Sequence, residues 1–513
     1  MSKIKNFITN HFNITAFILF AVLIFSLYGT SISFDFSYYD DDVLILARQD
    51  YLSFSNIKNI FSNTVFGEGM DKFCRPVLNL TFLCEKYLYG IKPFGYHLTN
   101  VIIHLFSVFS IYLFLSLLYD KKKILIFCLL FACHPAIVQA VAWVPGRNDS
   151  LLTLFLCLSF YFFIKYIDTN KTGCLFGYLI CFVLSLFTKE TAIFIPVFYF
   201  LLMLYKKKET KRIVVCATIW ILIAAAYLLY RKYVLSYQPY SLTFKELLNN
   251  FIKAFPTTTK YVANIFFPIK LSVFPSMLKI DYLLSIASVL VFVLFFLKFK
   301  LQNLKFVLFG FIWFFLFLFP TFLVTNYQPY DHRIYLPLIG ALIIVLEFLK
   351  EYNEINFKKF ISLVLCVLLC FSAITVFYEN KFKNKEVFWL TALEMSPESD
   401  IPHSMIGRFL YENGFYKEAE KQYLKAISIK EYSKHYGNLA GVYAKMGDID
   451  KAEEMLLKSL SLSTDNPDTY YNLALIYKYK GNKEKAREMK DKYINIFKRT
   501  NKVSKMYDID SEE

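Results

Sequence analysis

The sequence predicts an all-α membrane protein in which a polytopic helical bundle is followed by a solenoid of paired helices. The first observation is composition: 56% of the 513 residues are hydrophobic and the mean hydropathy is +0.42, which is too apolar for an ordinary soluble enzyme. The second is a series of long windows with few charges. The third is a repeat of about 34 residues near the carboxyl end.

The charge-poor windows predict about eleven membrane spans, since a helix needs about 20 apolar residues to cross a bilayer. They cover residues 14–34, 96–119, 124–143, 150–164, 172–188, 191–205, 213–230, 282–297, 306–327, 334–349 and 360–378. Residues 261–275 are apolar but are broken by Pro268, Lys270 and Pro275. We expect this segment to be a re-entrant or interfacial element, which is tolerable where protein covers the irregular backbone.

The basic residues predict the orientation of these spans. The net charge of +16 would suggest a nucleic-acid partner in a soluble chain, but the Lys clusters at 121–123, 206–212, 298–305 and 358–359 all lie between windows. Cytoplasmic loops show this pattern, so we expect no nucleic acid. With the amino terminus inside, residues 35–95 and everything after 380 lie on the outer side.

Cysteines and histidines give weaker signals. The ten cysteines show no metal-binding spacing, and Cys74 and Cys84 could form a disulfide or remain thiols. His97, His104 and His134 could bind zinc, but their spacing favours helix packing. Pro135, which follows His134, is expected to kink its helix.

The carboxyl-terminal part contains a self-similar pattern. Tyr436, Leu439, Ala440, Tyr443, Gly447 and Ala452 recur as Tyr470, Leu473, Ala474, Tyr477, Gly481 and Ala486, and a weaker copy runs from Ile406 to Ala426. This spacing is typical of tetratricopeptide repeats, in which a glycine ends the first helix of each pair. We therefore predict a membrane domain over residues 1–380, about three repeats over 381–500 and a disordered tail over 501–513.

Charged residues next to the predicted spans are candidates for chemistry. Asp40, Asp41 and Asp42 follow the first window, and adjacent like charges cost energy unless a cation, a metal or a polar substrate balances them. Candidate cations on the same side are Arg75, Arg147, Lys189 and Arg333. Each cation could instead be an interfacial anchor, and the aspartates could serve only solvation and topology. Four converging cations would form a phosphate site.

Six segments appear in an order that resembles one known family. They are "YYDDDVLI", "RPVLNLTFLCEKYLYGIKPFGYHLTNVIIHL", "LLFACHPAIVQAVAWVPGRNDSL", "TKETAIFIP", "YVANIFFPIKLSVFP" and "RIYLPLIG", followed by the repeats. This order is similar to that of the transmembrane-and-tetratricopeptide-repeat O-mannosyltransferases and their bacterial relatives. The resemblance implies a GT-C type glycosyltransferase that uses a polyprenyl-phosphate sugar, typically mannose, at the outer membrane face.

The resemblance also assigns expected roles. An acidic residue of the first outer loop lies at the catalytic centre in that family, and Asp41 matches it, with Asp40 and Asp42 beside it. Asp41 would be the base for the acceptor hydroxyl. Arg147 and Arg333 would bind the donor phosphate, with Arg75 and Lys189 in support.

Further expectations concern the acceptor and the metal. A secreted or membrane protein would offer a Ser or Thr hydroxyl and would bind the concave repeat face near Tyr436, Asn438, Tyr470 and Asn472. A divalent ion such as Mg²⁺ or Mn²⁺ is an option at Asp41 and Asp42. Two other functions remain open: a polymerase or ligase of lipid-linked glycans, and a non-enzymatic membrane-anchored repeat scaffold.

Overall fold

The computed structural model describes residues 11–49, 51–66, 73–235, 243–276, 304–323, 328–349 and 354–499, with a few single positions between 283 and 293. Within these residues the regular structure is helical, and no strand occurs among them. The chain divides into two compact units. The first comprises Met1–Leu46, Leu52–Val273 and Met277–Asn384, and the second comprises Ala47–Tyr51, Phe274–Ser276 and Lys385–Glu513. The prediction of an all-α membrane bundle with a repeat solenoid is confirmed.

The helices of the first unit lie both within the predicted windows and between them. They are Phe12–Tyr28, Ile57–Ser62, Pro76–Tyr89, Pro93–Leu115, Lys121–Ala132, Gln139–Ala142, Arg147–Thr169, Thr172–Thr188, Ile195–Tyr205, Thr210–Val234, Phe244–Ala254, Thr258–Phe266, Leu304–Leu318, Pro337–Leu349 and Glu354–Glu379. Every predicted window therefore coincides with a helix except 282–297, most of which lies outside the described residues.

Five segments are long and apolar enough to cross a membrane by length and composition: Pro93–Leu115, Val144–Thr169, Thr210–Val234, Leu304–Leu323 and Ser362–Phe382. A bent pair, Lys121–Ala132 with Pro135–Ala142, would make a sixth span. Four further apolar helices are shorter than 18 residues: Phe12–Tyr28, Thr172–Thr188, Glu190–Tyr205 and Pro337–Glu347. The count of about eleven crossings stays a prediction.

The bend at Pro135 is confirmed. The two helices on either side of it meet at 58°, because proline has no backbone N–H and its ring clashes with the preceding turn. His134 stabilises the break, since its Nδ1 accepts a hydrogen bond from the Ala136 amide at 3.2 Å and its Nε2 lies 3.1 Å from the Ile265 carbonyl oxygen. His97 and His104 likewise contact the backbone carbonyls of Asp35 and Ala132, both at 3.3 Å.

Two glycines allow a close helix crossing. Gly310 of helix Leu304–Leu318 faces Gly340 of helix Pro337–Leu349, and a Cβ atom added at Gly340 would lie 2.5 Å from the Gly310 carbonyl oxygen and 2.9 Å from the Phe314 nitrogen. Both of these neighbours are backbone atoms that cannot rotate away. The crossing therefore depends on the absence of side chains at both positions.

We expect Gly340→Ala to destabilise the bundle by about 1–3 kcal/mol, because an added methyl group in a tightly packed crossing forces the backbones apart. Thermal unfolding of the detergent-solubilised protein measures the effect. Gly173→Ala is the matched control, since a Cβ added at this helical glycine meets nothing within 4 Å. An unchanged melting temperature for Gly340→Ala would contradict the close approach.

The interrupted segment 261–275 contains no helix long enough to cross a membrane. Helix Thr258–Phe266 has nine residues and is followed by irregular backbone. Buried Asp331 holds this segment, because its carboxylate lies 3.3 Å from Lys260 Nζ, accepts from Asn264 Nδ2 at 2.8 Å and accepts from the Ser272 amide at 3.0 Å. Burial raises the pKa of Asp331 and the nearby Lys260 opposes that rise. The segment is thereby fixed beside residues 330–334.

The second unit contains the repeats. Its helices are Lys385–Met395, Asp400–Glu412, Tyr416–Ile429, Ser433–Lys445, Ile449–Leu462, Pro467–Tyr479 and Lys483–Arg499. Gly414, Gly447 and Gly481 each follow the first helix of a pair and have φ values of +81°, +83° and +73°. Glycine adopts this left-handed conformation without a steric cost, so the predicted role of these glycines is confirmed. The predicted tail 501–513 lies outside the described residues.

Candidate active site

The three loop aspartates occupy different environments. Asp41 is buried, whereas Asp40 and Asp42 are partly exposed. One oxygen of Asp41, Oδ2, accepts hydrogen bonds from the Ser37 amide at 2.7 Å and from the Ser37 hydroxyl at 2.6 Å. The other oxygen, Oδ1, is buried and has no hydrogen-bond partner among the described residues. Asp41 is therefore held at one oxygen and available at the other.

This environment changes the acidity of Asp41. Burial raises the pKa of Asp41 to about 6, while the hydrogen bonds from Ser37 lower it and the neighbouring Asp42 raises it further. At pH 7 the carboxyl group is mainly ionised yet more basic than a solvated aspartate. A carboxylate with a pKa close to the working pH is suited to general-base catalysis.

Aromatic rings connect Asp41 to distant parts of the chain. The indole Nε1 of Trp143 donates to the Ser37 hydroxyl oxygen at 3.1 Å. The Tyr39 ring stacks on Trp143 with centroids 6.0 Å apart, and the Trp143 ring stacks on Tyr330 at 6.3 Å. We call Tyr39, Trp143 and Tyr330 the aromatic platform. It brings the loop, the bent helix pair and residues 330–334 together.

Three of the four predicted cations lie near the aromatic platform. The Arg333 guanidinium carbon is 5.6 Å from the centroid of the Tyr330 ring. His332 stacks on Tyr330 at 5.4 Å. Burial together with the charges of Lys189, Arg333 and Arg75 holds the pKa of His332 well below its usual value. His332 is accordingly neutral at pH 7, and positive charge is concentrated around it.

Two of these cations are held in ion pairs. Lys189 Nζ donates to both oxygens of Asp149 at 2.7 and 2.8 Å. Burial lowers the pKa of Lys189 and the charge of Asp149 opposes that change. Arg75 donates to Glu190 through Nε at 3.1 Å and through Nη2 at 3.0 Å. The carboxylates orient both cations and partly neutralise them, and this allows several positive charges to lie close together.

Arg147 has different surroundings. Its guanidinium is completely buried and donates to Glu85 Oε2 at 2.6 Å, to the Tyr96 carbonyl oxygen at 2.9 Å and to the Thr81 hydroxyl at 3.3 Å. These partners tie the start of helix Arg147–Thr169 to helix Pro76–Tyr89. The contacts favour a packing role for Arg147 rather than the phosphate-binding role that the sequence pattern suggested.

The predicted metal site has little support from geometry. Within the described part of the chain, no group of three His, Cys, Asp or Glu side chains is arranged to hold a metal ion. Asp41 already uses one oxygen to bind Ser37. Within the described residues Cys74 and Cys84 form no disulfide, and Cys74 is buried whereas Cys84 is exposed.

The repeat residues predicted to bind an acceptor fall into two groups. Asn438 and Asn472 line a groove of about 500 Å³ whose other residues include Arg408, Glu412 and Lys445. Tyr436 and Tyr470 are buried. The Tyr436 hydroxyl donates to Glu431 at 2.9 Å, and Tyr470 belongs to the hydrophobic core of the repeats. The two asparagines are thus the better candidates for contact with a partner.

Comparison with known proteins finds similarity to O-mannosyltransferases over parts of the chain. The profile of the dolichyl-phosphate-mannose-protein mannosyltransferase family matches residues 80–230, and a tetratricopeptide repeat profile matches residues 431–499. The protein O-mannosyl-transferase TMTC2 of Mus musculus is 36% identical over 155 residues, which are 28% of this chain. A protein O-mannosyl-transferase of Caenorhabditis elegans is 25% identical over 398 residues, or 72% of this chain. In these parts the chain is similar to the transmembrane-and-tetratricopeptide-repeat O-mannosyltransferases.

The chain matches only part of the length of these O-mannosyltransferases. The aligned parts cover 18% of the mouse TMTC2 protein, 56% of the nematode protein and 21% of Drosophila melanogaster Tmtc1, to which the identity is 30%. The mannosyltransferase profile includes Arg147 and Lys189 but ends before Arg333 and begins after the loop aspartates. The roles of the site residues therefore depend on their geometry in this chain.

Several site residues were not identified from the sequence. Ser37, Trp143, Tyr330 and His332 lie in quoted segments or next to them, but nothing in their local pattern distinguishes them. Asp149 and Glu190 could have been recognised from the sequence, since each is a carboxylate within two positions of a candidate cation. A carboxylate beside a cation at a span boundary predicts ion pairing, although it does not identify the partner.

Proposed function

We propose that this chain is a membrane glycosyltransferase that moves mannose from a polyprenyl-phosphate donor to a Ser or Thr hydroxyl of a secreted or membrane protein. The observation that carries the proposal is the placement of Asp41: a buried carboxylate oxygen, which has no hydrogen-bond partner among the described residues, lies beside an aromatic platform, and three cations lie near that platform. The names of the relatives and the matched profile support mannose as the sugar.

The loop side of the site would act on the acceptor. Oδ1 of Asp41 takes the proton from the acceptor hydroxyl as the hydroxyl oxygen attacks the anomeric carbon of the sugar. Ser37 keeps the carboxyl group oriented through its two hydrogen bonds to Oδ2. A positioned base of this kind increases the reaction rate by a factor of about 10²–10⁴.

The cationic side would act on the donor. As the bond between the anomeric carbon and the phosphate oxygen breaks, the bonding electron pair leaves with the lipid phosphate. Arg333, Lys189 and Arg75 stabilise the negative charge that develops on the phosphate. Because a lipid phosphate is already a good leaving group, the reaction needs no strong general acid.

The deciding experiment uses the purified full chain in liposomes with radiolabelled polyprenyl-phosphate mannose and Ser/Thr-containing peptides. Label appearing on the peptide supports the proposal. Label appearing on a lipid-linked glycan would indicate a polymerase or ligase instead. Peptide binding without transfer from mannose or any other lipid-linked sugar would indicate a repeat scaffold and would overturn the enzymatic function.

We further propose that the reaction takes place on the extracytoplasmic side of a bacterial cytoplasmic membrane. The distribution of the Lys clusters supports this orientation. The second compact unit also supports this orientation. It contains both the repeats and residues Ala47–Tyr51, which closely follow the three aspartates, and residues of one compact unit lie on the same side of the membrane.

The orientation predicts which side chains a membrane-impermeant reagent reaches. In a variant without accessible native cysteines, a cysteine introduced at exposed Lys434 in the repeats should react in intact cells, whereas one at exposed Lys122 should react only after permeabilisation. Thiol labelling followed by mass shift measures both. Labelling of position 434 only after permeabilisation would place the repeats inside and contradict the proposed side of the reaction.

Replacing Arg333 tests the phosphate contact. Arg333→Lys keeps the charge but loses the planar fork that binds two phosphate oxygens. Charge-assisted hydrogen bonds are worth about 1.5–3 kcal/mol each, so transfer at limiting donor should fall about 10- to 100-fold. Arg333→Ala should be nearly inactive.

Arg212→Lys provides a matched control for this test. Arg212 also lies over a tyrosine ring, that of Tyr166, at 5.0 Å, and it donates to backbone carbonyls next to a Lys cluster. The control should transfer mannose at the parent rate. An Arg333→Lys variant with the parent rate at limiting donor would remove Arg333 from the phosphate site.

A further inference from the structure

Helix Phe244–Ala254 is too short to cross a membrane and yet exposes apolar side chains. Its eleven residues span about 16 Å, whereas the hydrocarbon core of a bilayer is about 30 Å thick. A capping box fixes its start, since Glu246 accepts from the Thr243 amide at 2.7 Å and the Glu246 amide donates to the Thr243 hydroxyl at 3.3 Å. Pro256 follows its end. The helix is therefore a defined element of its own.

One sector of this helix packs on the protein. The Phe251 ring contacts Phe319 at 5.8 Å and Phe322 at 6.1 Å. Asn250 Nδ2 donates to the Leu323 carbonyl oxygen at 3.4 Å, and Ala254 is buried. These partners belong to residues 319–323, the last residues of the span Leu304–Leu323. The helix is thereby fixed at one end of a span.

A second sector is apolar and exposed. Phe244, Leu248, Ile252 and Phe255 are 80%, 48%, 61% and 47% exposed, and their spacing of four, four and three residues places them along one face. Glu246 and Lys253 lie on the opposite face, and Lys245 flanks the apolar sector. A helix with this division of apolar and charged faces is the kind that lies in the plane of a membrane interface.

The exposed sector continues a surface that faces lipid if Leu304–Leu323 spans the membrane. Along that helix Leu308, Ile312, Phe315 and Phe319 are exposed and also share one face. Phe319 is the residue that Phe251 contacts. The apolar stripe of the span therefore meets the short helix at the contact between Phe319 and Phe251.

We propose that helix Phe244–Ala254 is an interfacial membrane anchor whose exposed face, Phe244, Leu248, Ile252 and Phe255, binds the acyl-chain boundary of the lipid bilayer. The apolar side chains enter the membrane by about 5–10 Å. The ammonium groups of Lys245 and Lys253 reach lipid phosphates from the polar side. This anchoring does not depend on the transfer activity proposed above.

Tryptophan quenching by brominated lipids tests the anchor. Leu248→Trp and Lys253→Trp are compared with the parent protein in liposomes that carry bromine either near the headgroup or near the centre of the bilayer. The four native tryptophans, Trp143, Trp220, Trp313 and Trp389, are all buried, so their signal can be subtracted. Ile252→Trp is a second variant on the apolar face, and size-exclusion chromatography confirms that each variant is folded.

The expected result is specific to the face and to the depth. The tryptophan emission that the variants at positions 248 and 252 add to that of the parent should fall at least about twofold in liposomes with bromine near the headgroup. It should fall less in liposomes with bromine near the bilayer centre, since the side chains lie near the headgroup boundary. Position 253, on the polar face, should be quenched clearly less than positions 248 and 252 by bromine at either depth. Unquenched emission at 248 and 252 would mean that water, another segment or a second copy of the chain covers this face, and deep quenching would place it in the bilayer core. Either result overturns the proposal.

Discussion

The Asp41→Asn variant should transfer mannose more slowly than the parent by a factor of about 10²–10⁴ while keeping its fold. Asparagine has nearly the same shape as aspartate, and its amide oxygen can still accept from the Ser37 amide and hydroxyl, which lie 2.7 and 2.6 Å from Asp41 Oδ2. The variant lacks only the basic oxygen. Initial rates of mannose transfer at saturating donor measure the loss of activity, and size-exclusion chromatography tests whether the variant is folded.

Asp35→Asn is the matched control for this variant. Asp35 lies in the same loop but is exposed, and its carboxylate accepts a local hydrogen bond from the Phe36 amide at 2.7 Å. We expect the parent rate from this control. An Asp41→Asn protein with full activity would contradict the role of Asp41 and would shift the search for the base to Asp40 or Asp42.

The pH dependence of the reaction provides an independent check on Asp41. A base must be ionised to accept a proton, and burial raises the pKa of Asp41 to about 6. The rate should therefore rise with pH and be half-maximal near pH 6, about two units above the value for a solvated aspartate. An inflection near pH 4 would mean that the active base is solvated and is not the buried Asp41.

The sequence predicted much of the fold because the relevant signals are local. Charge-poor windows and a repeat of about 34 residues depend on neighbours along the chain, and they located the helices and the paired repeats. Pro135 likewise predicted its kink without any tertiary information. The number of membrane crossings is harder to predict, because helices such as Phe12–Tyr28 and Thr172–Thr188 are by themselves shorter than a bilayer crossing requires.

The candidate site was only partly predictable because its contacts are distant in sequence. The Trp143 indole and the Ser37 hydroxyl that it binds are 106 positions apart, and Lys189 and Asp149 are 40 apart. Residue type suggested that Asp41 and Lys189 mattered, but only the fold shows which oxygen of Asp41 is available. The fold also shows that Arg147 is enclosed by Glu85, Tyr96 and Thr81, which its position at a span boundary could not show.

Arg147 therefore offers the sharpest contrast between the sequence pattern and the structure. We expect Arg147→Ala to destabilise the protein by about 3–5 kcal/mol, because it leaves the buried Glu85 carboxylate without its partner. The pair is 2.6 Å apart and both side chains are almost inaccessible to water. Unfolding in mixed detergent and sodium dodecyl sulfate measures the free energy, and transfer assays measure activity in the fraction that remains folded.

A double variant separates the two roles of Arg147. Replacing both partners, as in Arg147→Met with Glu85→Gln, removes the uncompensated charge and should recover most of the lost stability, since a buried ion pair can often be exchanged for neutral side chains of similar volume. If Arg147 only joins two helices, the double variant should also regain mannose transfer. If Arg147 binds the donor phosphate, the double variant should be stable but still impaired at limiting donor. We expect recovery of both stability and transfer, because the guanidinium is enclosed by Glu85, Tyr96 and Thr81 and does not share the contacts of Arg333 and Lys189.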